Sequence, residues 1–261
     1  MREFAYETIS KAWATKFLTS QADSQVLATR PQGSYGTRFI LGEFSLHNRS
    51  GGSVVAGIGG RLPVNLWTAG QLVAGGTYAD DVVDAQDVGA SDFALTTTTN
   101  NDGFAIFSLV PFNIVSLVVG VAAAGGSPAW DLAYTLADGS WSTISNSYVA
   151  PLFTGTGEQL IWFEPPTDWA PSVAGHGTGV PVGSYGIRVR ATTAPNATAG
   201  LATSMVLGRM FFTKESLDDN DVLTNIGGME QALPPQCDAL CAAISVANSQ
   251  NRISINYRYS G

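Results

Sequence analysis

Residues 129–145 read AWDLAYTLADGSWSTIS, residues 153–169 read FTGTGEQLIWFEPPTDW, and residues 182–195 read VGSYGIRVRATTAP. In the first block Trp130, Leu132, Tyr134 and Leu136 alternate with Asp131, Ala133, Thr135 and Ala137. Successive side chains leave a strand on opposite faces, so this period of two marks a half-buried strand. The Asp138-Gly139 turn hands it to a partner carrying Trp141 and Ile144. In the second block Leu160, Ile161, Trp162 and Phe163 form an apolar run that enters a core. Pro165 and Pro166 end it, since proline brings no N–H to a ladder. In the third block Tyr185, Ile187, Val189 and Ala191 face one way, and Gly186, Arg188, Arg190 and Thr192 the other. At least three antiparallel strands with a buried aromatic face follow from these residues.

The same residues carry a resemblance. Trp130 with Tyr134, the turn Gly139 to Trp141, the run Phe163 to Trp169 and the strand Tyr185 to Pro195 are similar to a β-sandwich module of tailed-bacteriophage virion structural proteins. The likeness covers about a quarter of the chain. Ser184-Tyr185-Gly186 departs from it, standing where the module usually has an aromatic run. The resemblance implies a part of the virion, assembled in the host cytoplasm. On the head this would be a capsid decoration protein, with partners in further copies of itself (a homo-oligomer) and in the major capsid protein. On a tail or baseplate it would be a module that binds a host glycan or receptor. The resemblance brings no catalytic residues with it.

Composition agrees with an all-β chain. It has 29 glycines among 261 residues and 13% charged side chains, with 45% hydrophobic. That content suits a packed domain rather than a disordered chain. A net charge of −8 and the lack of any lysine-arginine cluster speak against nucleic acid as a partner. Residues 104–124 are the most apolar window, but Ser108, Pro111, Asn113 and Ser116 interrupt it. It reads as two buried strands, 104–110 and 112–121, not as a membrane span. The start, MREFAYETISKAW, lacks the apolar stretch of a secretory leader. Cys237 and Cys241 share a face if residues 232–247 are helical, and they read as two small buried thiols. Zinc would need two more ligands, and His47 and His176 lie far off in sequence. No cofactor and no metal is expected.

Ile9, Trp13 and Phe17 recur every fourth residue, which predicts a short helix over 7–19, packed on its own domain or docked on a neighbouring subunit. Strands 37–46 and 54–62 flank Asn48-Arg49-Ser50-Gly51-Gly52, which predicts a hairpin. Further strands are expected at 66–73, 93–97, 205–212 and 252–259. Asp80, Asp81, Asp84, Asp87 and Asp92 crowd one loop without the spacing of a known calcium loop, so a solvated acidic loop is the plainer reading. In the last strand Ile253, Ile255, Tyr257 and Tyr259 alternate with polar residues. Together with Ile9, Trp13 and Phe17 they form the candidate interface with another chain. The fold expected is a jelly-roll-like antiparallel β-sandwich with a short N-terminal helix or arm and a short C-terminal helix plus strand. Its divisions are an arm over 1–36, the sandwich over 37–213 and an extension over 214–261.

Catalytic signatures are missing from the sequence. There is no G-x-S-x-G elbow, no phosphate loop and no H-E-x-x-H. Asp138, Glu158, Glu164 and Asp168 are the carboxylates a glycosidase would draw on, and Glu158 and Glu164 would point to the same side of a strand. Trp141, Trp169 and Tyr148 are the aromatics a glycan would stack on, unless they fill the core. The reading is of a non-enzymatic protein.

Overall fold

A computed structural model of the chain describes residues 12–17, 26–30, 38–87, 92–225, 231–233, 236–246 and 248–260. Antiparallel sheets pack face to face as a β-sandwich. The largest sheet runs β12 (Ser147–Val149), β13 (Gly157–Phe163), β9 (Ile114–Val121), β15 (Leu201–Leu217), β4 (Val54–Arg61), β18 (Ala239–Ile244) and β2 (Val26–Thr29), with β7 (Phe93–Ala94) beside β15. A six-stranded sheet runs β11 (Trp141–Thr143), β10 (Ala129–Thr135), β14 (Tyr185–Thr193), β8 (Gly103–Ser108), β5 (Trp67–Leu72) and β6 (Tyr78–Asp80). A five-stranded sheet runs β1 (Ala12–Phe17), β19 (Arg252–Ser260), β3 (Arg38–His47) and β16 (Val222–Asn225), with β17 (Gln231–Ala232) also on β3.

Both smaller sheets cover one face of the largest. Val115, Leu117, Ile161, Phe163, Met205 and Leu207 pack with Phe104, Ile106, Leu132, Ile187 and Val189 of the six-stranded sheet. Ala56, Ile58, Leu240, Ala242 and Ile244 pack with Phe39, Leu41, Phe44, Leu46, Ile253 and Ile255 of the five-stranded one. The register fixes the common face. Leu207 and Arg209 lie on one side of β15, Arg209 stands opposite Gly60, and Gly60 stands opposite Leu240. The reverse face of the large sheet carries Ile114, Leu160, Trp162, Met210, Cys241 and Ala243.

The strands expected from alternation are present. β10, β13, β14, β15 and β19 cover the segments named above, and the Asp138-Gly139 turn joins β10 to β11, with Gly139 at φ 88°. Three expectations are corrected. Strands β3 and β4 are not a hairpin: β3 pairs with β16, β17 and β19, and β4 with β15 and β18. The turn at 48–52 instead carries the chain from one layer to the next. Asn48, fully buried, holds it by donating from Nδ2 to Gly52 O (2.7 Å) and Leu217 O (2.7 Å), and by accepting from Ser50 N (2.9 Å).

The N-terminal helix is the second correction. Residues 12–17 form β1, paired with β19 from Ala12–Tyr257 to Phe17–Arg252. A spacing of four fits a helix, but four is also a multiple of two, so the pattern suits a strand equally well. The third is the C-terminal helix: Ala239–Ile244 is a strand buried on both faces between β4 and β2. A strand covered on both sides shows no alternation, which is why its period was not legible. β15 runs through Thr213, and β18 and β19 are interior strands of two different sheets.

Candidate functional site on the outer face of the six-stranded sheet

The outer face of this sheet is the side turned away from the main core. Strand β14 sends Ile187 and Val189 inward, both fully buried, and Arg188 and Arg190 outward, both half-buried. Arg188 stands between Ala133 of β10 and Ala105 of β8, two small residues that leave its side chain room. Beyond them on the same face, Leu72, Tyr78, Phe107 and Val180 form a small apolar cluster, with Trp141 packed against it. The Tyr78 and Phe107 rings meet edge to face at 5.3 Å.

The two arginines are satisfied differently. Arg190 forms a planar fork with Asp131: Nε lies 2.9 Å from both carboxylate oxygens, and a terminal nitrogen 2.8 Å from Oδ2. Arg188 instead lays its guanidinium over Trp141, with Cζ 5.0 Å from the ring centre. Its Nε is buried and has no hydrogen-bond acceptor among the described residues. Burial lowers the Arg188 pKa, Arg190 lowers it further, and Asp131 acts in the opposite sense.

A loop closes over this face. Ser172 N donates to Ser184 O (2.7 Å) and Gly183 N to Ser172 O (2.8 Å), which pins the two ends of residues 172–184 together. His176, 3% exposed, is the stitch. Its Nδ1 accepts from Val173 N (3.0 Å), which leaves Nε2 to donate to Ser140 O (2.9 Å). Trp141 Nε1 in turn donates to His176 O (3.1 Å). With both ring nitrogens engaged, His176 serves as a fastener rather than a free base. Between this loop, residues 72–76 and β14 lies a cavity of about 90 Å³. Leu72, Val73, Asn101, Trp141, Arg188 and Arg190 are among the residues that line it.

Other sequence-selected residues fall elsewhere. Glu158 and Glu164 lie at opposite ends of β13, about 20 Å apart at the usual rise per residue. Glycosidase carboxylates sit within roughly 10 Å, so this pair is not a catalytic dyad. Asp168 accepts from Tyr134 Oη (2.7 Å), and Glu164 from Asn146 Nδ2 (3.0 Å), on the walls of a polar cleft of about 270 Å³. Asp138 is exposed and caps its own turn through Ser140, whose hydrogen bonds lower its pKa. Trp169 is a packing residue. Its ring meets Phe112, Phe163 and Tyr185 at 5.3–5.8 Å, and its Nε1 donates to Gly186 O (3.1 Å). Tyr148 rests against Trp162 at 6.3 Å.

The acidic run is partly built into structure: Tyr78 Oη and Thr68 Oγ1 donate to Asp80, and Val82–Gln86 forms a short helix, α1. No cluster of three or more potential metal ligands occurs among the described residues. Cys237 and Cys241 are free, buried thiols.

Of the candidate interface residues, Ile253 and Ile255 are fully buried in this chain's own core and are not open to another chain. Tyr257 and Tyr259 are partly buried against Phe39, and Tyr259 Oη donates to Thr29 O (2.9 Å). Trp13 and Phe17 belong to β1, opposite Asn256 and Arg252, and Ile9 lies outside the described residues. The sequence reading missed the Arg188–Trp141 pair. Its one signal was the pair of outward arginines on a strand otherwise flanked by small residues. No known family model matches the chain, and no curated protein matches it in sequence.

Proposed function

We propose that the protein is a non-enzymatic structural component of a tailed-phage particle, a decoration protein of the head that associates with its own copies and with the major capsid protein. The observation that carries this reading is how the residues behind the phage resemblance are used. Phe163 and Tyr185 both pack on Trp169, Asp168 is tied to Tyr134, and Trp169 is tied to the backbone of β14. These residues are used in packing and hydrogen bonding within the sandwich, as expected of a building module. Strand β1 supports the same reading. It lies at the outer edge of the five-stranded sheet, where its second row of backbone groups can pair with a neighbouring chain. The test is to add purified protein to particles that lack it. Saturable binding at a symmetric copy number on the head supports the proposal. A protein that stays monomeric and leaves particles bare overturns it.

A second reading has an observation of its own. The arginine-lined cavity on the outer face of the six-stranded sheet favours a module that binds a host glycan.

A further inference from the structure

We propose that the cavity between Trp141, Arg188 and residues 72–76 is a carboxylate-binding site whose ligand is an acidic sugar unit. This rests on the glycan-binding reading and narrows it to one chemistry. A buried, charged N–H without an acceptor is rare and unfavourable in folded proteins. Arg188 Nε is such a group, and the Arg188 side chain lines a cavity of about 90 Å³. Stacking on Trp141 engages the face of the guanidinium rather than its edge. The edge is the part that grips a carboxylate through two parallel hydrogen bonds.

The surrounding charges select the ligand. Arg190 is already matched by both oxygens of Asp131, so Asp131 does not neutralise Arg188. The Asp102 carboxylate nearby accepts from Ala74 N (2.8 Å) and Thr97 Oγ1 (2.7 Å). Among the described residues, two arginines thus line the cavity with two carboxylates close by, and Arg188 is the one of the pair that makes no ion pair. That balance suits a monoanion and opposes a phosphate dianion. Leu72 and Val73 offer apolar walls to the C–H faces of a sugar ring, and Asn101 at the cavity offers a polar group to a hydroxyl. The volume admits the carboxylate and part of one ring, leaving the rest of a glycan outside.

The experiment is a titration of the full chain, followed by amide chemical shifts, with sodium glucuronate, N-acetylneuraminate, glucose, methyl glucuronate ester and inorganic phosphate. Glucuronate or N-acetylneuraminate should shift resonances of β14 and the 172–184 loop, while glucose and the neutral ester should not. Arg188→Lys keeps the charge but loses the fork, and should weaken acid binding by about tenfold. Arg188→Met should abolish binding without lowering the melting temperature, because it removes an unsatisfied buried group. Equal binding of glucose, tighter binding of phosphate, or full binding by Arg188→Met would each overturn the site. Binding that depends on Arg188, with no retention of any acidic glycan on an immobilised panel, would keep the carboxylate site but reject the acidic sugar as its ligand and the glycan reading with it.

Discussion

Strand β4 reads VVAGIGGR, and its glycines are there for close approach. A Cβ on Gly57 would stand 2.6 Å from both Phe212 O and the Trp162 ring. Trp162 is the largest fully buried side chain described, and it lies across that glycine. Gly57→Ala should therefore force the indole or the β15 backbone to move, at about 1–3 kcal/mol. Urea unfolding checks this through a lower midpoint at an unchanged slope. The thiols follow from burial in the same way. Cys237 is 1% exposed and its pKa is pushed up to about 12, chiefly by burial, while Cys241 is 3% exposed. A thiol must ionise and be reached to react. Neither cysteine should react with a disulfide reagent at pH 8 in the folded protein, and both should react in guanidinium. Fast labelling of either one in the native state would contradict the packing described.

At the scale of elements, the turn at Asn48 decides more than its length suggests. Asn48 bridges Gly52 and Leu217 by its amide, so it ties the turn to the end of β15. Asn48→Ala removes the side-chain donor to the buried Leu217 carbonyl and the acceptor of Ser50 N, and should lower stability by about 1–2 kcal/mol. Thermal melting of the variant measures that loss. A neutral result would mean that the glycines alone shape the turn. The same element shows where sequence reasoning stops. Gly51 and Gly52 correctly signal a reversal, but local turn chemistry does not say whether the chain returns to the same sheet or crosses to the facing one. β14 and β19 were legible because one face of each is more buried than the other, and β10 because large and small side chains alternate along it, although Ala133 and Thr135 are as buried as Leu132 and Tyr134. β18, buried at all six positions, gave no period at all, and Trp13 with Phe17 gave one that fits two structures. The candidate site was legible only in its parts. Arg188 and Trp141 come from strands that are not neighbours, separated by β10, and only the register of three strands brings them together.

At the scale of the whole molecule, the two ends of the chain are unequal. Among the described residues β1 pairs with β19 alone, so removing residues 1–17 should leave a chain that still folds, with β19 now at the edge of its sheet. The C-terminal end is different. β18 is hydrogen-bonded to β4 and β2, and β19 to β3 and β1, so residues 236–261 supply an interior strand to two sheets at once. Leu240, Ile244, Ile253 and Ile255 are all fully buried in the contact between those sheets. At roughly 1.5–3 kcal/mol for each such side chain, their loss is comparable with the ~5–15 kcal/mol that holds a typical domain together. The hydrophobic facing surfaces of β3 and β4 would also be left open to water. A chain ending at residue 235 should therefore show no cooperative melting transition and no dispersed amide spectrum, whereas a chain starting at residue 18 should show both. If the chain ending at 235 melted cooperatively, the last segment would be an appendage after all. The five-stranded sheet would then be a separate layer added to a sandwich that stands without it.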